Sequence, residues 1–232
     1  TFGVIGVTIR TAKLGETYFV KPKEEKSFLH YIKSSLVNGI KATSRSGSIV
    51  KKLLVYVTLA GIGTGLTAPY VSIYVVDNLK INPIDYSLVV DLAGAVTVAL
   101  LLGIIFLIQR LGARKSVLVA SVASPLSNVM FTQAKTMDEL LEWGVTGAVA
   151  TALQAPSLGT MQAEAIPIED RGKILAMFSI LPAMVSLPSQ VGAGVLYTSV
   201  SPVTPFLLSI LPFSLGAFIL YTIGHEKNGK RK

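Results

Sequence analysis

The fold is decided by residues 88–115, which read LVVDLAGAVTVALLLGIIFLI up to position 108 and QRLGARK from position 109 onward. The first run carries one charge, Asp91, and the run after the turn, residues 116–134, carries none. Runs of this length match the ~20 helical residues that cross a bilayer core. The short turn makes them an antiparallel helical hairpin. Its three cations, Arg110, Arg114 and Lys115, place the turn on the cytoplasmic side, where short basic loops remain.

The composition also indicates a membrane protein. Of 232 residues, 51% are hydrophobic and only 15% are charged, and the mean hydropathy is +0.60. A soluble chain carries about 25% charged residues. The chain has no cysteine, which excludes disulfides and thiolate metal sites. We expect no metal and no cofactor.

A basic linker is predicted to precede the membrane domain. Residues 1–9 are apolar but too short to cross a bilayer, and we interpret them as the end of a truncated preceding membrane helix. Residues 10–52 form a polar, basic segment. Its apolar residues Phe28, Ile32, Leu36 and Ile40 recur every four positions, which predicts an amphipathic helix over about 27–40 on the cytoplasmic membrane surface. A loosely ordered linker is the alternative.

The rest of the chain is predicted to be a six-helix bundle and a tail. The predicted transmembrane helices cover residues 53–76, 83–108, 116–131, 143–163, 174–197 and 206–224, and a basic cytoplasmic tail follows at 225–232. In this topology 19 of the 21 Lys and Arg residues lie inside, and only Lys80 and Lys135 lie outside. This asymmetry predicts a multi-pass protein of the plasma membrane with both ends cytoplasmic. The same distribution of the +8 net charge argues against a nucleic-acid partner.

The first predicted span contains two features that shape a helix. Gly61 and Gly65, four residues apart, permit a close approach of another helix. Pro69 removes a backbone hydrogen bond and predicts a break in the helix at this proline. Such a break is tolerated only against protein or a water-filled cavity.

The six predicted spans behind a long basic linker resemble the C-terminal half of a major facilitator superfamily transporter. The loop QRLGARK at 109–115 is similar to the signature loop of that family, although Gln109 replaces its acidic residue and Ile105 replaces an earlier glycine. The stretch AEAIPIEDRG at 163–172 resembles the Glu–Pro–Glu–Arg–Gly turn between the tenth and eleventh helices of the family.

The resemblance implies an all-α membrane protein, a six-transmembrane-helix bundle with a 3+3 inverted repeat that forms half of the family's fold. It implies secondary transport by alternating access. The expected partners are a small-molecule substrate, the lipid bilayer and a missing N-terminal half with six spans. The few intramembrane charges favour a neutral or amphipathic substrate over a polyanion.

Polar side chains at membrane depth are costly, and they mark cavities or partners. The candidate substrate-binding residues are Gln154, Thr151, Thr64, Thr67, Tyr70 and Asp91. For two of these residues, an explanation other than substrate binding is also open. Asp91 is close enough to the outer surface to be hydrated, and Gln154 suits a hydrogen bond between helices. The candidate cytoplasmic motif and gating residues are Arg110, Gly112, Arg114, Lys115, Glu164 and Arg171.

Other functional classes find little support. An intramembrane enzyme needs paired acids or a Ser–His arrangement at membrane depth, and a primary pump needs a nucleotide-binding loop; the sequence has neither. We expect no catalytic residue. A self-standing six-span half-transporter that acts as a dimer, and a six-span membrane protein without transport activity, both stay open.

Overall fold

The computed structural model describes residues 28–229, and all regular elements in this range are helical. The predictions for residues 1–27 and 230–232 lie outside the described residues. By its internal contacts the chain divides into residues 1–35 and residues 36–232. Of the first unit, the structure describes residues 28–35, which form the beginning of a helix. The second unit is the helical bundle.

The described elements follow one another as helices joined by short turns. The α-helices are α1 (Phe28–Arg45), α2 (Ser48–Thr67), α3 (Val71–Ile73), α4 (Pro83–Leu111), α5 (Ala113–Gln133), α6 (Met137–Ala165), α7 (Arg171–Ser199) and α8 (Thr204–Gly229). A π-helix, Tyr74–Asn78, continues α3, and a 3-10 helix, Ile168–Asp170, precedes α7.

Four helical stretches in the described part of the chain are long and apolar enough to cross a membrane by length and composition. They are Ser48–Asn78, Pro83–Ile104, Ile168–Ser199 and Thr204–Ile223. The predicted spans at 116–131 and 143–163 correspond to α5 and α6, which have 21 and 29 residues. These two helices have sufficient length at 1.5 Å per residue, but their Ser, Asn, Gln and acidic residues lower their hydropathy. The six-span count stays a prediction.

Packing in the bundle is organised around two helices. α2 packs extensively against α7 and α8, and α6 packs extensively against α4 and α5. α5 and α8 also pack against each other and thereby join the two groups. Direct contact between α2 and α6 is limited.

Glycines bring α2 close to its neighbours. A Cβ atom on Gly61 would lie 2.7 Å from the Cα of Pro182, and one on Gly65 would lie 2.7 Å from the carbonyl oxygen of Ser186. Both positions face α7, and Gly63 between them faces α8 with the same lack of space. The close approach predicted from Gly61 and Gly65 is confirmed.

Two apolar clusters lie towards opposite ends of the bundle. The cluster beside the basic turn includes the fully buried Leu53, Ile174 and Met177. The cluster at the other end is aromatic, and its central rings, Phe131 and Phe206, have centroids 4.7 Å apart. Tilted ring pairs at this distance add to the stabilisation from burial.

The helix predicted over about 27–40 corresponds to α1, which begins at Phe28 and continues to Arg45. Its residues from Leu36 onward contact the bundle. Leu36 packs against the cluster beside the basic turn, and a Cβ on Gly39 would lie 2.5 Å from the Met177 sulfur. Ile40, a member of the predicted apolar stripe, is 56% exposed. The contact face passes through Gly39 because a small residue allows the closer approach.

Candidate functional site

The helix breaks between α2 and α3, at Pro69, where the sequence predicts it. α2 ends at Thr67, a turn covers residues 68–70, and α3 resumes the helix at Val71. Pro69 has no N–H to donate to the carbonyl one turn earlier. The Thr67 hydroxyl is buried and donates to the Gly63 carbonyl at 3.2 Å, whereas Thr64 is exposed. The two threonines therefore face different surroundings.

Tyr70 connects the break to α7. Its hydroxyl donates to the Gln190 carbonyl at 2.9 Å, and its ring stacks on Tyr197 with centroids 5.3 Å apart. Gly194 leaves room for this arrangement, since a Cβ there would lie 2.6 Å from the Tyr70 hydroxyl oxygen. Asn78, in the π-helix, donates to the Tyr197 hydroxyl at 2.7 Å. Tyr70 is thus held in a contact between helices.

Gln154 joins α6 to α2. Its side-chain Nε2 donates to the Tyr56 hydroxyl oxygen at 2.6 Å. Gln154 is half-buried, and Tyr56 is only 3% exposed. The sequence analysis did not select Tyr56. Tyr56 is the only tyrosine in the first half of α2, and a polar aromatic residue within an apolar span could have marked it as a candidate.

Thr151 lies on another face of α6. It lines a groove of about 270 Å³ between α4 and α6, whose other wall includes Thr97 and Gly94. The Thr97 hydroxyl donates to the Ala93 carbonyl at 2.8 Å and is thereby occupied. The Thr151 hydroxyl is exposed and makes no hydrogen bond with the described residues. It is therefore available to a molecule in the groove.

Asp91 lies on the surface of α4. Its carboxylate is exposed, and within the described part of the chain it has no hydrogen-bond or ion-pair partner. Leu88 and Val98, one and two turns away on the same side, are 58% and 62% exposed. An unpaired carboxylate on such an apolar stripe is expensive in hydrocarbon. It requires water or a partner there.

The structure does not bring the six candidate binding residues into one cluster. Among described residues, the only hydrogen bond that joins two of them is local, from the Thr67 hydroxyl to the Thr64 carbonyl at 3.5 Å. Gln154 and Tyr70 are occupied by contacts between helices. Thr64, Thr151 and Asp91 remain as exposed polar groups without partners in the described chain.

The basic turn is shaped by Gly112. This residue ends α4 and precedes α5 with φ +83°, a region that L-residues rarely adopt. Its N–H donates to the Ile108 carbonyl at 2.7 Å. Arg110 and Lys115 on either side are exposed. The glycine of the motif thus has a backbone role in turning the chain between two helices.

The candidate gating residues Arg114 and Glu164 line the same small cavity. Both line it together with Ile49, Met161 and Ala165. Among the described residues the two charged side chains form no ion pair with each other. Arg171 instead uses its Nη2 to donate to the Ala163 carbonyl at 2.8 Å, at the end of α6.

The described residues contain no group of three or more His, Cys, Asp or Glu side chains that could hold a metal ion. The groups available for binding are the hydroxyls of Thr64 and Thr151 and the carboxylate of Asp91, which lie on the surfaces of long apolar helices. Such groups can bind a small polar or amphipathic molecule at membrane depth.

Comparison with known proteins agrees with these features. A family model of the Major Facilitator Superfamily matches residues 53–232. A search of curated proteins found no match to this chain. The matched region begins early in α2 and includes both the basic turn and the Gln154 helix. Proteins of this family are transporters that bind small molecules within the membrane. The chain belongs to the Major Facilitator Superfamily and is a multi-pass membrane transporter.

Proposed function

We propose that this chain is the C-terminal six-helix half of a secondary active transporter that carries a small solute by alternating access. The observation that carries this proposal is the set of exposed, unpaired polar groups on α2, α4 and α6, namely Thr64, Asp91 and Thr151. The family match supplies the general function. The proposed site lies where these helices face an N-terminal half.

Hydrogen bonding distinguishes the proposed binding threonines from other helix threonines. The hydroxyls of Thr58, Thr97 and Thr160 each donate to the carbonyl four residues earlier, at 2.8 to 2.9 Å. The hydroxyls of Thr64 and Thr151 make no hydrogen bond with described residues. These hydroxyls can therefore bond to water or substrate without first breaking a hydrogen bond within the protein. Prolines follow each of them, Pro69 and Pro156, and leave a helix carbonyl without its donor.

The packing pattern supports a 3+3 inverted repeat. If α2, α4 and α5 are exchanged with α6, α7 and α8 in order, the pair α2–α8 becomes α6–α5, and α2–α7 becomes α6–α4. The pair α5–α8 maps onto itself. Inverted repeats of three helices are the common plan of this superfamily. Superposition of the two triplets is the test, and different helix packing in them would refute the repeat.

Asp91 is proposed to contact the substrate or to carry a coupling proton or cation. Its unpaired carboxylate on an apolar stripe supports this role. Hydration from the outer surface is the alternative. Asp91→Asn would abolish ion-driven uptake but preserve exchange of substrate if the carboxylate couples transport. If Asp91→Asn lost both uptake and exchange to the same extent, or lost neither, the result would contradict a coupling role.

The basic turn and the Glu164–Arg171 region are proposed to gate the cytoplasmic side. Arg114 and Glu164 line a common cavity without forming an ion pair, so they have room to pair in another conformation. Arg110 and Arg171 belong to the same proposed group. Rocking of the two halves would then make and break these contacts. The proposed orientation has both chain ends in the cytoplasm, as the Lys and Arg distribution predicts.

The partner of the bundle is proposed to be an N-terminal half with six spans. The most exposed of the large apolar side chains on α4 and α7 are Leu102 at 77% and Val191 at 72%. They leave faces that such a half would cover. A dimer of two such chains is the second possibility. A mass measurement of the purified transporter in detergent distinguishes one chain from two.

The experiment that tests the proposed site compares two threonines on α6. A ligand-stabilisation and transport screen on the complete protein first identifies a transported compound. We expect Thr151→Val to raise the KM for that compound by about twofold to tenfold, because a lost hydrogen bond costs about 0.5–1.5 kcal/mol. The matched control is Thr160→Val, whose hydroxyl is already bonded to the Pro156 carbonyl. An unchanged KM in Thr151→Val would refute the site.

A further inference from the structure

An apolar groove lies between α5 and α8. It encloses about 700 Å³ and is lined by Leu118, Val119, Val122, Ala123, Leu126, Ala217, Phe218 and Tyr221. Tyr221 has the only polar group among these side chains. The proposed transport site on α2, α4 and α6 shares none of these residues.

The groove has the dimensions of one lipid chain. From Leu118 to Leu126 it extends along eight residues of α5, or roughly 12 Å at 1.5 Å per residue. One leaflet of a ~30 Å bilayer core is about 15 Å deep. Val122 and Phe218, 59% and 64% exposed, form its open walls. A straight apolar chain that enters from one surface would fill most of this length.

A positively charged side chain lies beyond one end of the groove. Lys115 lies on α5 one turn before Leu118 and Val119, and the spacing of Lys115, Val119, Val122 and Leu126 places them on one helical stripe. Lys115 is exposed. Tyr221, at the same end of α8, supplies the amphipathic ring that is typical of the membrane interface.

We propose that this groove binds one phospholipid, with an acyl chain along α5 and α8 and an anionic headgroup phosphate at Lys115. The apolar walls bind the acyl chain, and the positive charge of Lys115 at the end favours a negative headgroup over a zwitterionic one. The positive charge and the depth of the groove fit a lipid of the leaflet that faces the basic turn.

Native mass spectrometry of the full-length protein in detergent tests the proposal with two probes, phosphatidylglycerol and phosphatidylcholine that carry identical acyl chains. We expect retention of one phosphatidylglycerol, at least fivefold stronger than phosphatidylcholine. Val122→Trp, which fills the groove, should reduce retention of both lipids at least fivefold. Val98→Trp on the exposed face of α4 is the matched control and should retain lipid as the parent does.

Lys115→Gln should remove the preference for phosphatidylglycerol and leave chain binding in place. The control Lys135→Gln changes an exposed lysine just beyond the other end of α5 and should keep the preference. Equal retention in Val122→Trp and the parent would overturn the proposal, as would equal loss in Val98→Trp. If Val122→Trp does not fold, Val119→Trp replaces it under the same criteria. A protein dimer that Val122→Trp dissociates would also overturn it, because a second copy would then occupy the groove.

Discussion

α2 and α4 are both long apolar helices, yet they relate differently to the rest of the bundle. In the most apolar 18 consecutive residues of Ser48–Asn78, 44% of the residues are buried inside the bundle. In the corresponding part of Pro83–Ile104, only 11% are buried. α2 packs on two neighbours through Gly61, Gly63 and Gly65, whereas α4 packs mainly on α6. Apolar composition therefore specifies insertion, and small residues specify where helices meet.

The comparison also separates two kinds of polar residue. On α2, the hydroxyl of Thr67 and the ring and hydroxyl of Tyr70 are used inside the bundle. On α4, the Asp91 carboxylate lies on the exposed face. In a membrane protein, an exposed polar group of this kind requires water, lipid headgroups or a second protein surface. We infer that α4 borders the transport pathway.

The largest expected effect comes from filling the contact of α2 with α7. Gly65→Leu should destabilise the bundle by about 3 kcal/mol or more, because the first added carbon already lies 2.7 Å from the Ser186 carbonyl oxygen. Thermal unfolding in detergent measures this. Gly103→Leu on α4, where nothing lies within 4 Å, should change stability by less than about 0.5 kcal/mol. Similar unfolding temperatures for the two variants would contradict the packing account.

A smaller effect is expected at the hydrogen bond between α6 and α2. Gln154→Ala and Tyr56→Phe should each cost about 0.6–1.7 kcal/mol of stability, as hydrogen bonds between membrane helices do. A double-mutant cycle isolates the coupling between them. Gln154→Ala should also weaken substrate binding, while Tyr56→Phe leaves the amide free to bind. Normal affinity in Gln154→Ala would show that Gln154 acts only between the helices.

The sequence could predict the elements whose signal is local. The break at Pro69 follows from one residue without a backbone N–H, and the close approach at Gly61 and Gly65 follows from two small residues four positions apart. The turn at Gly112 likewise follows from a motif that requires a glycine at positive φ.

The partners of polar side chains could not be predicted, because they depend on how helices rotate against one another. Gln154 and Thr151 are three residues apart, and the structure directs one to Tyr56 and the other to the groove with α4. The apolar stripe of α1 shows the same dependence, since Leu36 packs against the bundle while Ile40, on the same stripe, is exposed. The spacing of residues along a helix shows which of them share a face, but the packing of the helices decides what that face contacts.

The smallest expected effect is electrostatic and lies outside the predicted spans. Glu139 and Thr136 form a capping box at the start of α6. Backbone N–H donors of Lys135 and Thr136 hold the pKa of Glu139 below its ordinary value. Because the pKa is lowered on folding, this contribution is present above the ordinary carboxylate pKa of about 4.5 and is lost as pH falls through the folded value.

Glu139→Gln should therefore reduce the loss of thermal stability between pH 6 and pH 3, taken as roughly the range of carboxylate titration. The matched control is Glu142→Gln, because the Glu142 carboxylate makes no cap bond in the described chain. An identical acid-induced decrease of the unfolding temperature in Glu139→Gln and in the parent would contradict the cap assignment.

The central claim is that Thr64 and Thr151 line an aqueous transport pathway. The 232 residues contain no cysteine that would react in a thiol-labelling test, and any cysteine elsewhere in the complete protein is first replaced by serine. Single Thr64→Cys, Thr151→Cys and Val122→Cys variants of the complete protein are exposed in membranes to a membrane-impermeant thiol reagent. The account predicts modification of the first two and protection of the third, which lies in the apolar groove of α5 and α8. Protection of Thr64→Cys and Thr151→Cys to the same extent as Val122→Cys would contradict it.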